Sequence, residues 1–196
     1  TNYDGYVEGT QKLTITKRNV TLTSANDEKV YDGTALTNSE VTVSGDGFVD
    51  GEGATYNVTG SQTEVGESEN KFTYTLNEGT EEGNYTIVPA YGTLKVTAGK
   101  IADYVTLTPV DVEKKYDGKT YTSGTATATD SNGGELKIEY SVDGENWTTD
   151  PSEITAKDVA DSKTIQVRVS GTNYDGYVEG TQKLTITKRN VTLTSA

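Results

Sequence analysis

The sequence predicts an all-β fold built from small sandwich modules, and three observations lead to this prediction. Apolar and polar residues alternate along most of the 196-residue chain, as they do in half-buried strands. Asp-Gly and Asn-Gly pairs, which favour tight hairpin turns, interrupt these runs at short intervals. No segment keeps a convincing 3.6-residue apolar period over three turns, so no long helix is expected.

The predicted strands and turns can be placed along the chain. Three runs put their apolar residues on one face: Leu136, Ile138, Tyr140 and Val142 in "ELKIEYSV", Ile165, Val167 and Val169 in "TIQVRV", and Leu184 and Ile186 in "KLTIT". Turns are predicted at Asp32-Gly33, Asp117-Gly118, Asn132-Gly133, Asp143-Gly144 and Asp175-Gly176. Residues 152–163 are the best helix candidate, and we interpret them as a short turn or loop. A real helix near residues 154–160 would instead favour a β-grasp-like mixed sheet.

A long exact repeat frames the chain. Residues 1–25 and 172–196 are identical, a shift of 171 residues (172 − 1). A fold constrains buried positions and turns, but it does not fix every exposed Thr, Gln and Lys. Identity throughout the segment therefore indicates recent duplication or recombination of a long unit. Both copies begin and end within a module, as expected for a fragment of a tandem array.

A weaker repeat divides the long unit into two modules. "NVTLTSANDEKVYDG" at residues 19–33 aligns with "YVTLTPVDVEKKYDG" at residues 104–118, a shift of 85 residues (104 − 19). The predicted organisation is: closing strands of a preceding B-type module in 1–18, sandwich module A in 19–98, module B in 99–188, and the first strand of the next A-type module in 189–196. About seven strands per module favour an immunoglobulin-like sandwich, and the short joints favour an elongated rod. The N-terminal strands, without the rest of their module, should expose an unpaired apolar edge.

Composition excludes several functions. The net charge is −13 with a pI near 4.4, which argues against binding to nucleic acid or to anionic membrane surfaces. The chain has no Cys and no His, so it lacks thiol chemistry, the commonest general base and the commonest transition-metal ligand. No apolar run reaches membrane-spanning length. We therefore predict no enzymatic activity, no cofactor and no membrane insertion within this sequence.

The repeated motifs resemble a known family. "KVYDGTALT" and "KKYDGKTYT", together with "NYTIVPAYGTLKVT" and "NYDGYVEGTQKLTITKRNVTLT", resemble the YDG and MBG-type tandem repeats of bacterial surface proteins. The resemblance covers nearly the whole chain and implies an extracellular β-sandwich repeat of adhesin-like proteins, with no catalytic residues to carry over. Independently of the family, Gly33 is expected to adopt positive φ, Asp32 to cap the turn and Tyr31 to cover the edge of the core.

Two segments are candidate ligand sites. In "SVDGENWT" Trp147 is expected to follow an Asp-Gly hairpin and pack near Tyr140 or Val142; if exposed beside tyrosines, it could instead stack on a sugar ring. Trp147 and Tyr140 are therefore the candidate ligand-contacting residues. "SGDGFVDGEG" at residues 44–53 contains three acidic residues, but their spacing does not match a calcium-binding EF-hand loop, and we expect Phe48 or Val49 to be tucked inward.

The sequence thus predicts a structural spacer in a bacterial cell-surface stalk that projects a distal domain from the cell. The alternative is a repeat that itself binds a host glycan or protein weakly and gains avidity from the array. Neighbouring repeats of the same chain are the expected partners in the first case, and a host glycan or protein in the second. Either function places the protein outside the cell, at the surface, secreted and attached to the cell wall.

Overall fold

The computed structural model describes residue 2 and residues 4–195, and β-strands account for nearly all of their regular structure. The all-β prediction is confirmed. The strands are β1 (Arg18–Ser24), β2 (Asp27–Val30), β3 (Val41–Gly45), β4 (Ala54–Val58), β5 (Gly66–Glu69), β6 (Phe72–Leu76), β7 (Tyr85–Ala90), β8 (Thr93–Thr97), β9 (Gly99–Lys100), β10 (Val105–Thr108), β11 (Val112–Lys115), β12 (Tyr121–Thr122), β13 (Thr127–Asp130), β14 (Leu136–Ser141), β15 (Thr155–Ala156), β16 (Lys163–Gly171), β17 (Tyr174–Asp175) and β18 (Val178–Thr187). The 3₁₀ turns are Glu82–Asn84, Ile101–Asp103, Pro151–Glu153 and Val159–Asp161.

The helix candidate at residues 152–163 is the turn-rich loop that the sequence predicts. Two single 3₁₀ turns, Pro151–Glu153 and Val159–Asp161, flank the short strand β15 there. The side chain of Asp150 accepts a hydrogen bond from the Ser152 amide and caps the first turn. None of the described residues forms a helix long and apolar enough to cross a membrane.

The chain divides into two compact units, each assembled from separate stretches. Unit 1 comprises Thr1–Asp27, Thr37–Gly60 and Glu69–Leu94; unit 2 comprises Glu28–Leu36, Ser61–Ser68 and Lys95–Ala196. Thr1, Tyr3 and Ala196 lie outside the described residues. The contiguous modules at residues 19–98 and 99–188 stay a prediction, as do the flanking segments 1–18 and 189–196.

In unit 1, the strand β1 lies between β3, its antiparallel neighbour, and β7, its parallel neighbour. The strands β4 and β6 form an antiparallel pair. The core of the unit consists of Val20, Leu22, Phe72 and Tyr85, with Val41, Phe48, Tyr56, Val58, Tyr74 and Ile87 packed against them. The ring of Phe48 lies 5.0 Å from that of Tyr85, which confirms that Phe48 is tucked inward.

Unit 2 is a β-sandwich with one dominant sheet in the order β11-β18-β16-β14. Unit 2 also contains the pairs β10-β13, β12-β15 and β9-β17, and most of β2, β5 and β8. The core consists of Ala126, Tyr140, Ile154, Ala156, Ile165, Val167, Leu184 and Ile186. The order β14-β16-β18 matches the C-F-G strand order of immunoglobulin-like domains.

The predicted turns are confirmed by the backbone. The glycine of each predicted pair has a positive φ between 75° and 85°: Gly33, Gly118, Gly133, Gly144 and Gly176. This left-handed conformation is open to Gly without a steric penalty, which explains its position in each turn. The carboxylate of Asp32 accepts a hydrogen bond from the Thr34 amide at 2.9 Å, so Asp32 caps its turn as predicted.

The repeated segment has one structure in its first copy and another in its second. Residues 4–17 contain no strand, and Leu13 and Ile15 are 90% and 88% exposed. The identical residues Leu184 and Ile186 lie in β18 and are 0% and 2% exposed. An isolated strand leaves its backbone groups unpaired and buries little apolar surface, so the sequence becomes a strand only where neighbours are present.

The opposite difference occurs at the other end of the segment. Val20 and Leu22 lie in β1 and are 1% and 0% exposed, whereas the identical Val191 and Leu193 are 80% and 93% exposed and lie outside any strand. The first copy thus opens unit 1 with its last third, and the second copy closes unit 2 with its first two thirds.

This difference predicts unequal effects of identical substitutions. Leu184→Ala should lower the free energy of unfolding by about 2–5 kcal/mol, because it leaves a cavity in the core. Leu13→Ala should change it by less than about 0.5 kcal/mol, because that side chain is exposed. Both leucines have the same sequence neighbours, so differences in local propensity cancel. Urea unfolding followed by circular dichroism measures both values, and equal losses would contradict the structure.

Candidate functional site

The two candidate ligand-contacting residues lie in different environments. Tyr140, on β14, is 2% exposed, and its hydroxyl accepts a hydrogen bond from the Ala126 amide at 2.9 Å. Trp147 is half-buried in the loop after β14, and its indole N–H donates to the carbonyl of Gly144 at 3.2 Å. Tyr140 therefore serves as a core residue here, while Trp147 reaches the surface. Whether either side chain contacts a ligand stays a prediction.

The ring of Trp147 stacks on a cation, a contact that the sequence did not predict. The guanidinium carbon of Arg168 lies 3.8 Å from the centroid of the Trp147 ring and 4.5 Å from that of Tyr177. Arg168 in turn forms an ion pair with Glu139 at 2.8 Å. Hydrogen bonds from Lys137 and Arg168 hold the pKa of Glu139 below its usual value. A cation stacked on Trp and Tyr stabilises both rings in a fixed orientation.

The loop that carries Trp147 is fixed by one carboxylate. Asp143 accepts hydrogen bonds from the side chain and the backbone amide of Asn146, from the Glu145 amide and from the Ser141 hydroxyl. These bonds, that from the Asn146 side chain foremost, lower the pKa of Asp143 well below its usual range. They favour the charged form of the carboxylate. Asp143 thus acts as a turn residue that positions the ring of Trp147.

A groove of about 470 Å³ lies beside Trp147 on the outer face of β16 and β18. Polar side chains provide its remaining hydrogen-bonding groups: Thr164, Gln166, Glu179 and Thr181. The alternation of β16 and β18 alone places these side chains on the face opposite the core. The sequence reasoning missed them because nothing in the motif at residues 141–148 indicates which strands it covers.

A second site is a cluster of aromatic rings within unit 2, here called the tyrosine cluster and formed by Tyr31, Tyr104 and Tyr174. The ring of Tyr31 meets that of Tyr174 edge-on, with centroids 5.4 Å apart and an interplanar angle of 84°. Tyr104 stacks on the same ring at 5.7 Å. Tyr31 is 3% exposed, so its predicted role as a cover for the edge of the core is confirmed.

The hydroxyl of Tyr174 is anchored to a neighbouring turn. It donates to Asp130, whose two carboxylate oxygens lie 2.7 and 2.8 Å away. The same carboxylate accepts hydrogen bonds from the amides of Asn132 and Gly134. Burial, and then the hydrogen bond to Asp130, raise the pKa of Tyr174 far above its usual value. The tyrosine is therefore held in its neutral form.

Asn173 links the tyrosine cluster to a further stretch of unit 2. Its side chain is buried, its amide oxygen accepts from the Val65 N–H at 3.0 Å, and its NH₂ group donates to Glu64. Its carbonyl accepts from the Gly99 amide at 3.2 Å, where β17 pairs with β9. Sequence reasoning missed Glu64 and Asn173. The only available signal was the Asn-Tyr pair that the two module ends share at residues 84–85 and 173–174.

Two of the three acidic residues in the loop at residues 44–53 accept hydrogen bonds from protein groups. Asp46 accepts a hydrogen bond from the Asn19 amide at 2.8 Å, and Glu52 accepts one from the Tyr85 hydroxyl at 2.5 Å. Within residues 4–195, no three acidic side chains lie together in an arrangement that could hold a metal ion. Asp46 and Glu52 thus tie the loop to β1 and β7 within unit 1.

Comparison with known proteins gives likeness of structure only. No family model and no curated protein sequence matches the chain. Solved structures that resemble it include Drosophila N-cadherin EC1-3 (8% identity, covering 89% of this chain and 70% of that one, TM-score 0.35) and fibronectin(III)-like modules of Clostridium thermocellum CbhA (14%, 84% and 91%, TM-score 0.35). A chimeric titin Z1Z2 is similar at 15% identity, covering 89% of this chain and 96% of that one, with a TM-score of 0.32. The all-β assignment rests on the strands and cores described above.

The anchored hydroxyl predicts a specific response to alkaline pH. The folded state raises the pKa of Tyr174 above the unfolded value of about 10, so the proton is held more tightly in the folded state. The resulting stability is fully present below about pH 10 and is lost as the pH rises further. We expect Tyr174→Phe to be less stable than the wild type at pH 7, and the difference to narrow above pH 10.

Chemical denaturation from about pH 7 to pH 11 measures this difference, since the ordinary Tyr pKa falls within that range. Tyr6→Phe is the matched control, because Tyr6 is 83% exposed and should leave the stability curve unchanged. A constant difference between Tyr174→Phe and the wild type across this range would show that Tyr174 titrates normally.

Proposed function

We propose that this chain is a non-catalytic spacer repeat from a stalk on a bacterial cell surface, where it projects a distal domain from the cell. One observation carries the proposal. In the second copy of the repeated segment, the last strand of unit 2, β18, ends at Thr187. The residue equivalent to Thr187 in the first copy is Thr16, and β1 of unit 1 begins only two positions later, at Arg18. A single lysine therefore separates the last strand of one copy from the first strand of the next.

A joint of one residue leaves little length for a flexible linker, so each added copy should extend the stalk by a fixed amount. The charge of −13 keeps neighbouring stalks soluble and mutually repulsive. Non-catalytic use also agrees with the local chemistry. The pKa values of Asp32 and Asp143 are strongly lowered, and both carboxylates cap turns. Placement at a bacterial surface, attached to the wall, is supported by the resemblance to YDG and MBG-type repeats.

The spacer proposal is tested by measuring length against copy number. Chains with one, two and three 171-residue periods should show maximum dimensions in small-angle X-ray scattering that rise by an equal increment per period. The reason is that a joint of one residue offers little freedom to fold back. A two-copy chain with about ten Gly-Ser residues inserted after Lys188 is the control, and it should give a broader distribution of dimensions. Dimensions that stay compact as copies are added would contradict the spacer function.

A second function is favoured by the surface around Trp147. A fixed aromatic ring bordering a groove with amide, carboxylate and hydroxyl groups can stack on a sugar ring and bond to its hydroxyls. The acidic charge of the chain favours a neutral glycan over a sialylated or sulfated one. In an array, weak binding at each copy would add up to useful avidity.

Binding of a multimerised chain to a panel of neutral glycans, mucins and matrix proteins tests this second function. Saturable binding that Trp147→Ala abolishes, and that Tyr91→Ala preserves, would support it. Tyr91 is the matched aromatic control, because it is 44% exposed and belongs to unit 1. The absence of binding at high valency, or equal binding by both variants, would leave Trp147 as a structural residue.

A further inference from the structure

We propose that the turn Tyr116-Asp117-Gly118 is a docking surface for the next copy of this chain. Its receiving face is centred on the exposed Val49 of that copy, beside Phe48 and the buried Tyr85. The contact would repeat the one that Tyr31 makes with Tyr174 inside unit 2. The inference rests on the proposed tandem array and adds to it the side chains that fix each joint.

The turns at Tyr31 and Tyr116 are structurally equivalent. The Tyr31 amide donates to the Thr97 carbonyl at 2.8 Å, and the Tyr116 amide donates to the Thr187 carbonyl at 2.9 Å. Each turn is capped by its Asp and has its Gly at φ near 80°. Their environments differ, because Tyr31 is 3% exposed whereas Tyr116 is 39% exposed. The first tyrosine has an aromatic partner, and the second has a surface that a partner could cover.

The strand register shows where that partner would lie. Gly99 follows Thr97 by two residues and pairs in parallel with Tyr174. Arg189 follows Thr187 by the same two residues, and the identical Arg18 pairs in parallel with Tyr85. In each case the residue two positions after the threonine that binds the tyrosine turn pairs in parallel with the receiving tyrosine. In an array, Tyr116 would approach Tyr85 of the next copy as Tyr31 approaches Tyr174.

The receiving residues are also alike. Tyr85 and Tyr174 are both buried and both follow an asparagine. Each donates its hydroxyl to a carboxylate, Tyr85 to Glu52 in a loop and Tyr174 to Asp130 at the end of β13. Beside Tyr85, Phe48 packs on the ring, and the Val49 amide donates to the tyrosine hydroxyl at 3.2 Å. Val49 is 40% exposed and gives this face an apolar side chain for Tyr116 to cover.

Arg18 brings the same loop next to the joint. Its guanidinium donates to the carbonyls of Asp46 and Gly47, immediately before Phe48. Because Arg189 is the same residue in the repeated segment, the loop of the next copy would be tied to a position two residues beyond Thr187. The occupant of the docking surface is therefore unit 1 of a following copy rather than an unrelated protein.

A two-copy chain, residues 1–196 followed by residues 26–196, tests the proposal with an internal control. Tyr116 of the first copy then has a following unit 1, whereas Tyr116 of the second copy has none. Tyr116→Phe in one copy at a time leaves a single nitratable Tyr116. We expect tetranitromethane to nitrate the first-copy Tyr116 several-fold more slowly than the second-copy one, as resolved by peptide mass spectrometry. Equal rates would overturn the proposal.

A second variant tests whether the slower nitration of the first-copy Tyr116 is caused by docking on Val49 or by any other effect of the added copy. Val49→Asp in the second copy should restore fast nitration of the first-copy Tyr116, whereas Val49→Asp in the first copy should not. Restoration by neither or by both variants would also overturn the proposal. Scattering of the same two-copy chain distinguishes this failure from that of the spacer function. If only the docking proposal fails, the two-copy chain is still longer than the one-copy chain by the expected increment. If the spacer function is wrong, the two-copy chain is compact.

Discussion

The structure depends on the pairing of β18 on both of its sides. This strand pairs antiparallel with β16 from Val169↔Val178 to Lys163↔Leu184, and parallel with β11 from Val112↔Leu184 to Lys115↔Thr187. It carries Leu184 and Ile186 into the core of unit 2. The same sequence at residues 4–17 has exposed apolar side chains and no strand. Strand formation in this chain is thus decided by available neighbours, because β-propensity is largely a statement about packing against them.

The tyrosine cluster shows that neighbours also stabilise the turns and short strands of this chain. Tyr174 follows Asn173 at the start of the short strand β17, which has only two residues and could not hold the region by backbone pairing alone. The aromatic contacts with Tyr31 and Tyr104, and the hydrogen bond to Asp130, supply what the short pairing lacks. Side-chain contacts therefore hold together stretches that are far apart in sequence, and Tyr31 of the Tyr-Asp-Gly turn supplies one of the aromatic rings.

The sequence predicts the features that depend on neighbours along the chain. Alternation identifies Leu184 and Ile186 as core residues, and Asp-Gly pairs identify turns, because both are local properties. The contact of Asn173 with Glu64 spans 109 residues and leaves no local pattern. The sequence also does not predict the stack of Trp147 on Arg168, because a loop can cover either face of a sheet. The expectation that the repeated glutamine is exposed was wrong: Gln182 is 1% exposed.

Buried Gln182 marks a difference between the closing strands of the two predicted modules. Its NH₂ group donates to Ser123 and Gly124 at 2.7 Å, and its carbonyl accepts from the Val110 amide at 3.0 Å. When the two predicted modules are aligned, the equivalent residue is Gly92, because Thr97 and Thr187 accept equivalent hydrogen bonds from the two tyrosine turns.

A Cβ atom at Gly92 would lie 2.4 Å from the carbonyl oxygen of Ala25, so a glutamine at this position would force the backbone of unit 1 to shift. Conversely, a closing strand with glycine at this position would leave buried polar groups near Ser123 without a partner in unit 2, which costs free energy. Neighbouring repeats of similar sequence tend to exchange strands during folding. The difference between Gly92 and Gln182 therefore penalises an exchange of the two closing strands.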